Sequence, residues 1–187
     1  MKSAKALRVV AMLALGTLVA GGAVWSCTAA PRPDGGEGLL EQGKPAPALT
    51  GLDQDGKTRA VADHRGSYLL VYFYPKDGTP GCTTEACAFR DVWGRYEKER
   101  VALFGVSADD VASHKEFAEE HAIPFPLIAD PDNRWSTAFG VGTFLGMTER
   151  VSFLVSPESR IVAVYPDVDP GVHADQVLKD VARLRAE

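Results

Sequence analysis

The chain has 187 residues, of which 45% are hydrophobic, enough for one globular domain with a sizeable core plus an additional segment. Its formal net charge is −5, and no basic stripe or long run of like charge accompanies it. The electrostatic pattern of a nucleic-acid-binding protein is therefore missing. This composition favours small-molecule chemistry, with no nucleic-acid partner.

Residues 1–27 have the layout of a secretory signal, because basic residues precede an almost uncharged apolar run at 9–25. The run ends in Val24-Trp25-Ser26-Cys27, which resembles a bacterial lipoprotein processing site. Cys27 would then become the lipid-modified first residue of the mature chain. The alternatives are ordinary cleavage near Ala29 or Ala30 and an uncleaved anchor, although a spanning helix typically needs about 20 apolar residues. We expect export to the bacterial periplasm or cell envelope, with attachment to the membrane through Cys27 ranked first.

Residues 28–43 are rich in proline and glycine and lack a hydrophobic period, so they are predicted to form a flexible tether. Residues 44–187 are predicted to form the folded domain. The chain has three cysteines, which leaves an odd thiol in an exported protein. Lipidation of Cys27 would remove the odd thiol and leave Cys82 and Cys87 as a pair.

The domain is predicted to alternate strands with helices. Strands are predicted at 58–61, 68–74, 101–107, 126–128, 151–155 and 161–165, and helices at 80–99, 111–121, 133–139 and 172–185. The run at 68–74 is continuously apolar, as in a strand buried on both faces, and the last two strands flank a turn, which indicates a hairpin. We therefore expect an α/β fold with a central mixed sheet covered by helices on both faces.

The most informative stretch runs from Pro75 to Cys82 and follows the buried strand directly. Pro80 favours the first helical position and keeps the residue before it extended, so Thr79 is the expected N-cap. Cys82 then lies in the opening turn, where unpaired N–H groups and the helix dipole favour an anionic sulfur. A free thiol can also serve only as a small core residue, but the position at a helix start argues for redox chemistry.

Cys87 follows five residues later on the same predicted helix. On a regular helix the two Cα atoms would lie about 8.6 Å apart. A disulfide needs Cα atoms within about 7 Å. A bond between these two sulfurs therefore requires the turn between them to open.

No metal and no cofactor are expected, because a structural zinc site needs four Cys or His ligands at characteristic spacings. The sequence offers no second cluster of this kind. His64, His114, His121 and His173 are scattered along the chain, and each is expected to be a surface or capping residue.

The run from Thr79 to Cys87, together with Phe89-Arg90-Asp91, resembles the peroxiredoxins of the bacterioferritin comigratory protein class, also called peroxiredoxin Q, among the AhpC/TSA-like proteins. The likeness extends from about Gly43 to the carboxyl terminus and includes the stretch 150–155. It implies a thioredoxin-like fold and the thiol-dependent reduction of hydrogen peroxide and organic hydroperoxides.

By this resemblance, Cys82 would be the peroxidatic cysteine, which attacks the O–O bond and becomes a sulfenic acid. Cys87 would be the resolving cysteine, which condenses with that sulfenic acid to an intramolecular disulfide. Thr79 would hydrogen-bond the peroxide, Pro75 would shield the sulfur from water, and Arg150 would hold the thiolate and polarise the peroxide. A thioredoxin-like donor would reduce the disulfide, and a monomer is expected.

Other interpretations compete with these roles. Thr79 could only cap the helix, Arg150 could be a solvated arginine at a strand start, and Glu85 could either join a network with an arginine or favour the helix amino end.

Other classes of protein also compete with this assignment. An exported thiol-disulfide oxidoreductase on the same fold would carry C-x-x-C, and a copper-delivery protein would have three residues between its cysteines plus a histidine. A purely structural lipoprotein is the third class.

Overall fold

The computed structural model describes residues 32–187. Its strands are β1 (Thr50–Leu52), β2 (Thr58–Ala60), β3 (Tyr68–Phe73), β4 (Val101–Ser107), β5 (Leu127–Ala129), β6 (Thr143–Phe144), β7 (Met147–Thr148), β8 (Val151–Val155) and β9 (Ile161–Tyr165). Its α-helices are α1 (Pro80–Asp91), α2 (Trp93–Lys98), α3 (Val111–His121), α4 (Arg134–Phe139) and α5 (His173–Leu184), and a 3-10 helix spans Val61–His64.

The central sheet has the strand order β5-β4-β3-β8-β9. Its middle strand, β3, runs parallel to β4 and antiparallel to β8, and β4 and β5 are also parallel. The hairpin predicted at 151–165 is the antiparallel pair β8 and β9. Parallel and antiparallel pairs thus coexist, and the predicted mixed sheet is confirmed. The pairs β1-β2 and β6-β7 form two small additional sheets.

Both faces of the sheet are covered, and as a result every residue of β3 is buried. Successive side chains of a strand point to opposite faces. Leu70 and Tyr72 lie in one apolar cluster with residues of α1, α2, α3 and α5. Leu69 and Val71 lie in the other cluster, which includes Trp135 of α4. The strand that leads to the cysteine helix is therefore fixed from both sides.

The helix predicted at 80–99 is two helices, α1 and α2. The break falls at Val92, whose φ of −108° and ψ of 11° are not helical. Beyond it, Trp93 stacks on Tyr96 and contacts Phe125. The buried residues Phe89 and Tyr96 keep a helical spacing across the break, so the apolar periodicity of the sequence predicts one helix and does not indicate the break.

Part of the predicted tether contacts the domain. Arg32 is buried, and its guanidinium donates to the backbone carbonyls of residues 37, 38 and 39. Leu40 is 4% exposed, and its N–H donates to the carbonyl of Phe139 at 2.9 Å. Two residues of this segment, Arg32 and Leu40, are thus buried, and Leu40 belongs to the same apolar cluster as Phe139 of α4. The predicted signal at 1–27 and the lipidation site Cys27 lie outside the described residues.

Within residues 32–187, the helices are all too short or too polar to span a membrane.

Candidate active site

Cys82 lies in the first turn of α1, as predicted. Thr79 is the N-cap residue, and its carbonyl accepts the N–H of Thr83 at 2.9 Å. The Thr79 hydroxyl does not cap the helix. It donates instead to the carbonyl of Lys76 at 3.1 Å, so the prediction was right for the position and wrong for the side chain. The reason is local, since the turn before α1 brings that carbonyl within reach of the hydroxyl.

Arg150 contacts the cysteine directly. Its Nη2 donates to the Sγ of Cys82 at 3.2 Å, and the cysteine is 1% exposed. The register of the sheet explains this contact, because Val151 at the start of β8 pairs with Phe73 at the end of β3. The residue before β8 therefore lies beside the start of α1. A Cβ on Gly81 would come within 3.2 Å of Nη2, so the absence of a side chain at this position leaves room for the guanidinium.

Glu85 is the second partner of Arg150, and its carboxylate pairs with the Nη1 of the guanidinium. Glu85 is fully buried, and within residues 32–187 its Oε1 has no hydrogen-bond partner. Burial raises the pKa of Glu85 to about 7, although the charge of Arg150 acts in the opposite direction. Burial also disfavours the charge on Arg150, but Glu85 and Cys82 outweigh it and raise the pKa of the arginine. The guanidinium thus stays charged and bridges the sulfur and the carboxylate.

Glu85 was not among the site residues predicted from the sequence. The available signal was its spacing, because residues three apart on a helix lie on the same face. Glu85 follows Cys82 by three residues, so both side chains point to the same side of α1.

Pro75 lies beside the apolar hairpin formed by β6 and β7. Pro75 follows Tyr74, the first residue after β3, and it lines a groove with Phe144 and Met147 of β6 and β7. The hydroxyl of Thr148 donates to the carbonyl of Tyr74 at 2.5 Å and so fastens the hairpin to the end of β3. Phe144 is 57% exposed, which gives the groove an apolar rim.

Cys87 lies on α1 with Cys82, as predicted. Both thiols are free, Cys82 is buried and Cys87 is half-buried. Both cysteines thus belong to one regular helix, and the geometric argument for a turn that must open applies to the reduced protein.

Two of the histidines contradict the expectation of surface or capping positions. His114 and His173 are both 0% exposed. The Nε2 of His173 lies 2.9 Å from the hydroxyl of Ser152, and the Nδ1 of His114 lies 2.8 Å from a carboxylate oxygen of Asp77. Burial lowers the pKa of His173 to about 4. Polar partners far away in the sequence allow both rings to be buried. Among residues 32–187, no three His, Cys, Asp or Glu side chains are grouped so as to hold a metal.

A buried cysteine at a helix amino end, paired with an arginine and followed by a second cysteine on the same helix, is the arrangement expected of a thiol redox site. The AhpC/TSA family model matches residues 42–164. The putative peroxiredoxin bcp of Coxiella burnetii is 38% identical over 146 residues, which cover 74% of this chain and 97% of that protein. Peroxiredoxin Bcp of Bacillus subtilis is 37% identical over 154 residues, 76% of this chain and 98% of the relative.

The solved structures agree with the sequence relatives. The bacterioferritin comigratory protein of Xanthomonas campestris superposes with a TM-score of 0.70 at 33% identity, and the match covers 76% of this chain and 98% of that one. Peroxidoxin BcpB of Mycobacterium tuberculosis gives a TM-score of 0.72 at 27% identity over 77% of this chain and 97% of that one. The chain therefore belongs to the AhpC/TSA family, and both the thioredoxin-like fold and the resemblance to the bacterioferritin comigratory protein class are confirmed.

Proposed function

We propose that this site is where the protein carries out the thiol-dependent reduction of hydroperoxides, the activity of the peroxiredoxins it resembles. The observation that supports the site assignment most strongly is the bridge made by Arg150, which donates to the Sγ of Cys82 at 3.2 Å while it pairs with buried Glu85. A fixed cation in a buried site stabilises a thiolate before attack and the negative charge on oxygen that develops during it.

In the proposed reaction, the Cys82 thiolate attacks one peroxide oxygen and the O–O bond breaks. Cys82 becomes a sulfenic acid, and the other oxygen takes up a proton and leaves as water or an alcohol. Arg150 donates to the sulfur and to the leaving oxygen. The Thr79 hydroxyl donates to Lys76, so its lone pairs remain free to accept a hydrogen bond from the peroxide O–H. Pro75 and the apolar rim limit the access of water to the sulfur.

The second half of the proposed cycle uses Cys87. After α1 opens, its thiol condenses with the Cys82 sulfenic acid, which forms the S–S bond and releases one water. A thioredoxin-like dithiol then supplies two electrons and two protons and restores both thiols. A thiol-disulfide oxidoreductase or a copper-delivery protein is not favoured, since the relatives are peroxiredoxins and the two cysteines are five residues apart.

Mass spectrometry tests these roles. Reduced protein that lacks residues 1–27 is mixed with one equivalent of hydrogen peroxide and then digested. The expected product is a Cys82–Cys87 disulfide. Cys87→Ser should stop at the Cys82 sulfenic acid, trapped by dimedone, and Cys82→Ser should consume no peroxide above background. Free thiols at both positions of the unmodified protein would refute the assignment.

We also propose that the chain is exported and anchored to the membrane through a lipid on Cys27, and that its domain acts as a monomer. The support for the anchor is the sequence pattern at 1–27 alone. Radioactive palmitate fed to a bacterial host should label the protein, and Cys27→Ser should abolish the label. Equal labelling of both proteins, or of neither, would contradict the lipid anchor. Sedimentation of the soluble domain tests the monomer.

A further inference from the structure

A buried carboxylate fastens the loop between β3 and α1. Asp77 lies in this loop, and its side chain is 6% exposed. Its Oδ1 accepts the hydroxyl of Tyr74 at 2.7 Å. Its Oδ2 accepts the hydroxyl of Ser113 and the Nδ1 of His114, both at 2.8 Å. We name Asp77, Tyr74, Ser113 and His114 the Asp77 clamp.

The clamp joins the loop to two elements of the domain. Tyr74 directly follows β3, and Ser113 and His114 lie at the start of α3. The backbone N–H of Asp77 adds a further bond to the carboxylate of Asp109 at 2.9 Å, between β4 and α3. Side chain and main chain of one loop residue are thus both bound to the α3 side of the domain.

His114 is fully buried, and its contact with Asp77 supplies a hydrogen-bond partner for the ring. A carboxylate only accepts hydrogen bonds, so the ring nitrogen that faces Asp77 carries the proton. The Nε2 has no partner within residues 32–187. Burial acts against the charge on Asp77, but the hydrogen bonds from His114, Tyr74 and Ser113 outweigh it and lower the pKa of Asp77. A buried carboxylate is stable only when it is hydrogen-bonded in this way, so the clamp is a unit whose parts depend on one another.

The position of the clamp relates it to the reactive sulfur. Asp77 precedes Pro80, the first residue of α1, by three residues. Between them Gly78 has a φ of +69°, a left-handed turn that glycine adopts without strain. The turn that carries Cys82 is therefore held on both sides, by the Asp77 clamp before it and by Arg150 beyond it.

We propose that Asp77 is a positioning residue, whose clamp keeps Cys82 beside Arg150 and thereby sets how readily the first turn of α1 opens towards Cys87. The proposal rests on the proposed peroxidase function. A Cys82 sulfenic acid has two fates. Condensation with the Cys87 thiol forms the disulfide and releases water, and it needs the open turn. A second hydroperoxide oxidises the sulfenic acid to a sulfinic acid and leaves as water or an alcohol, and it reacts with the closed turn.

The first test is Asp77→Asn, which removes the charge and places an amide N–H against the donors of the clamp. Reduced protein is mixed with increasing hydrogen peroxide for a single turnover, and mass spectrometry counts disulfide and sulfinic acid at Cys82. The peroxide concentration that converts half of Cys82 to sulfinic acid should rise about tenfold. The first attack on peroxide should slow by about tenfold, the size expected for one charge-assisted hydrogen bond.

A matched pair at His114 separates positioning from folding. Asparagine can place an amide N–H where the Nδ1–H stands, whereas leucine cannot. His114→Leu should therefore behave like Asp77→Asn, and His114→Asn should restore the balance between disulfide and sulfinic acid. Asp110→Ala serves as the control, because it removes the N-cap that accepts Ser113 N–H at 2.9 Å and weakens the same helix without touching Asp77. Its product balance should equal that of the unmodified protein.

Three results would overturn the proposal: an unchanged product balance in Asp77→Asn, equal behaviour of the two His114 variants, or a shift in Asp110→Ala as large as that in Asp77→Asn. If Asp77→Asn does not fold, Ser113→Ala removes one bond, keeps the carboxylate, and should shift the balance in the same direction. Unmodified protein that never oxidises at Cys82 would instead refute the peroxidase function, so the two failures are distinguishable.

Discussion

Glu85→Gln should change how the stability of the protein depends on pH. In the folded protein, burial raises the pKa of Glu85 from an ordinary 4.5 to about 7, against the charge of Arg150. Between these values the folded protein keeps a proton that the unfolded chain has lost, so this group makes the protein less stable as the pH rises. A tenfold change in proton affinity is about 1.4 kcal/mol, so Glu85 removes about 3 kcal/mol of stability across this window.

His173 acts in the opposite direction. Burial lowers the pKa of His173 from 6.5 to about 4. Between these values His173 binds a proton in the unfolded chain but not in the folded protein. Its contribution to stability therefore rises with pH, again by about 3 kcal/mol. The contributions of Glu85 and His173 nearly cancel between about pH 4.5 and 6.5. Glu85→Gln removes the contribution of Glu85, so that of the two only the contribution of His173 remains. The free energy of unfolding should then rise by about 3 kcal/mol as the pH increases across this range.

Urea unfolding followed by circular dichroism measures these changes at several pH values between about 4.5 and 7.5. Both proteins lack residues 1–27, which include Cys27, and carry Cys82→Ser and Cys87→Ser, so that no thiol titrates or oxidises. Other titrating groups are common to both proteins and drop out of the difference between the two curves. His173→Gln, whose amide can still bond Ser152, is the reciprocal variant, and its stability should fall with rising pH. Parallel curves for the proteins with and without Glu85→Gln would refute the raised pKa of Glu85.

Three further predictions concern peroxide turnover. Arg150→Lys keeps a charge but loses the planar fork, so kcat/KM for hydrogen peroxide should fall about a hundredfold in a stopped-flow assay. Gly81→Ala brings a Cβ within 3.2 Å of the guanidinium and should lower kcat/KM, whereas Gly94→Ala, with nothing within 4 Å, should leave it unchanged. Phe144→Ser removes apolar surface from the groove, so KM for a bulky organic hydroperoxide should rise severalfold while that for hydrogen peroxide stays constant. Val172→Ser, at a site 56% exposed elsewhere, is the control. Equal effects of Gly81→Ala and Gly94→Ala, or of Phe144→Ser and Val172→Ser, would contradict the roles given to Gly81 and Phe144.

Local signals allowed parts of the fold to be predicted from the sequence. The bounds of β4 and α3 match the predicted 101–107 and 111–121. Asp110 starts α3 by accepting the N–H of Ser113, and Ala122 ends it in a left-handed conformation. The helix start at Pro80 was predictable for the same reason, since proline acts on its immediate neighbours.

Features decided by distant partners were not predictable in this way. The burial of His114 depends on Asp77, 37 residues away, and no periodicity in α3 indicates it. Arg150 entered the site only through the family resemblance, because its place depends on the register of β8 against β3. Leu40 lies in a stretch whose composition is typical of a linker, yet its contact with Phe139 joins it to the core.

The two restraints on the Cys82 turn differ in their response to acid. On the α1 side of Cys82, the pair of Arg150 and Glu85 depends on the Glu85 carboxylate, and burial raises the pKa of this group to about 7. Before Cys82, hydrogen bonds from His114 and its neighbours lower the pKa of Asp77 despite burial. A fall in pH below about 7 therefore protonates Glu85 and weakens its pairing with Arg150, whereas the carboxylate of Asp77 stays ionised and the clamp persists. Acid thus weakens the Arg150–Glu85 ion pair first, while the hydrogen bonds of the Asp77 clamp persist.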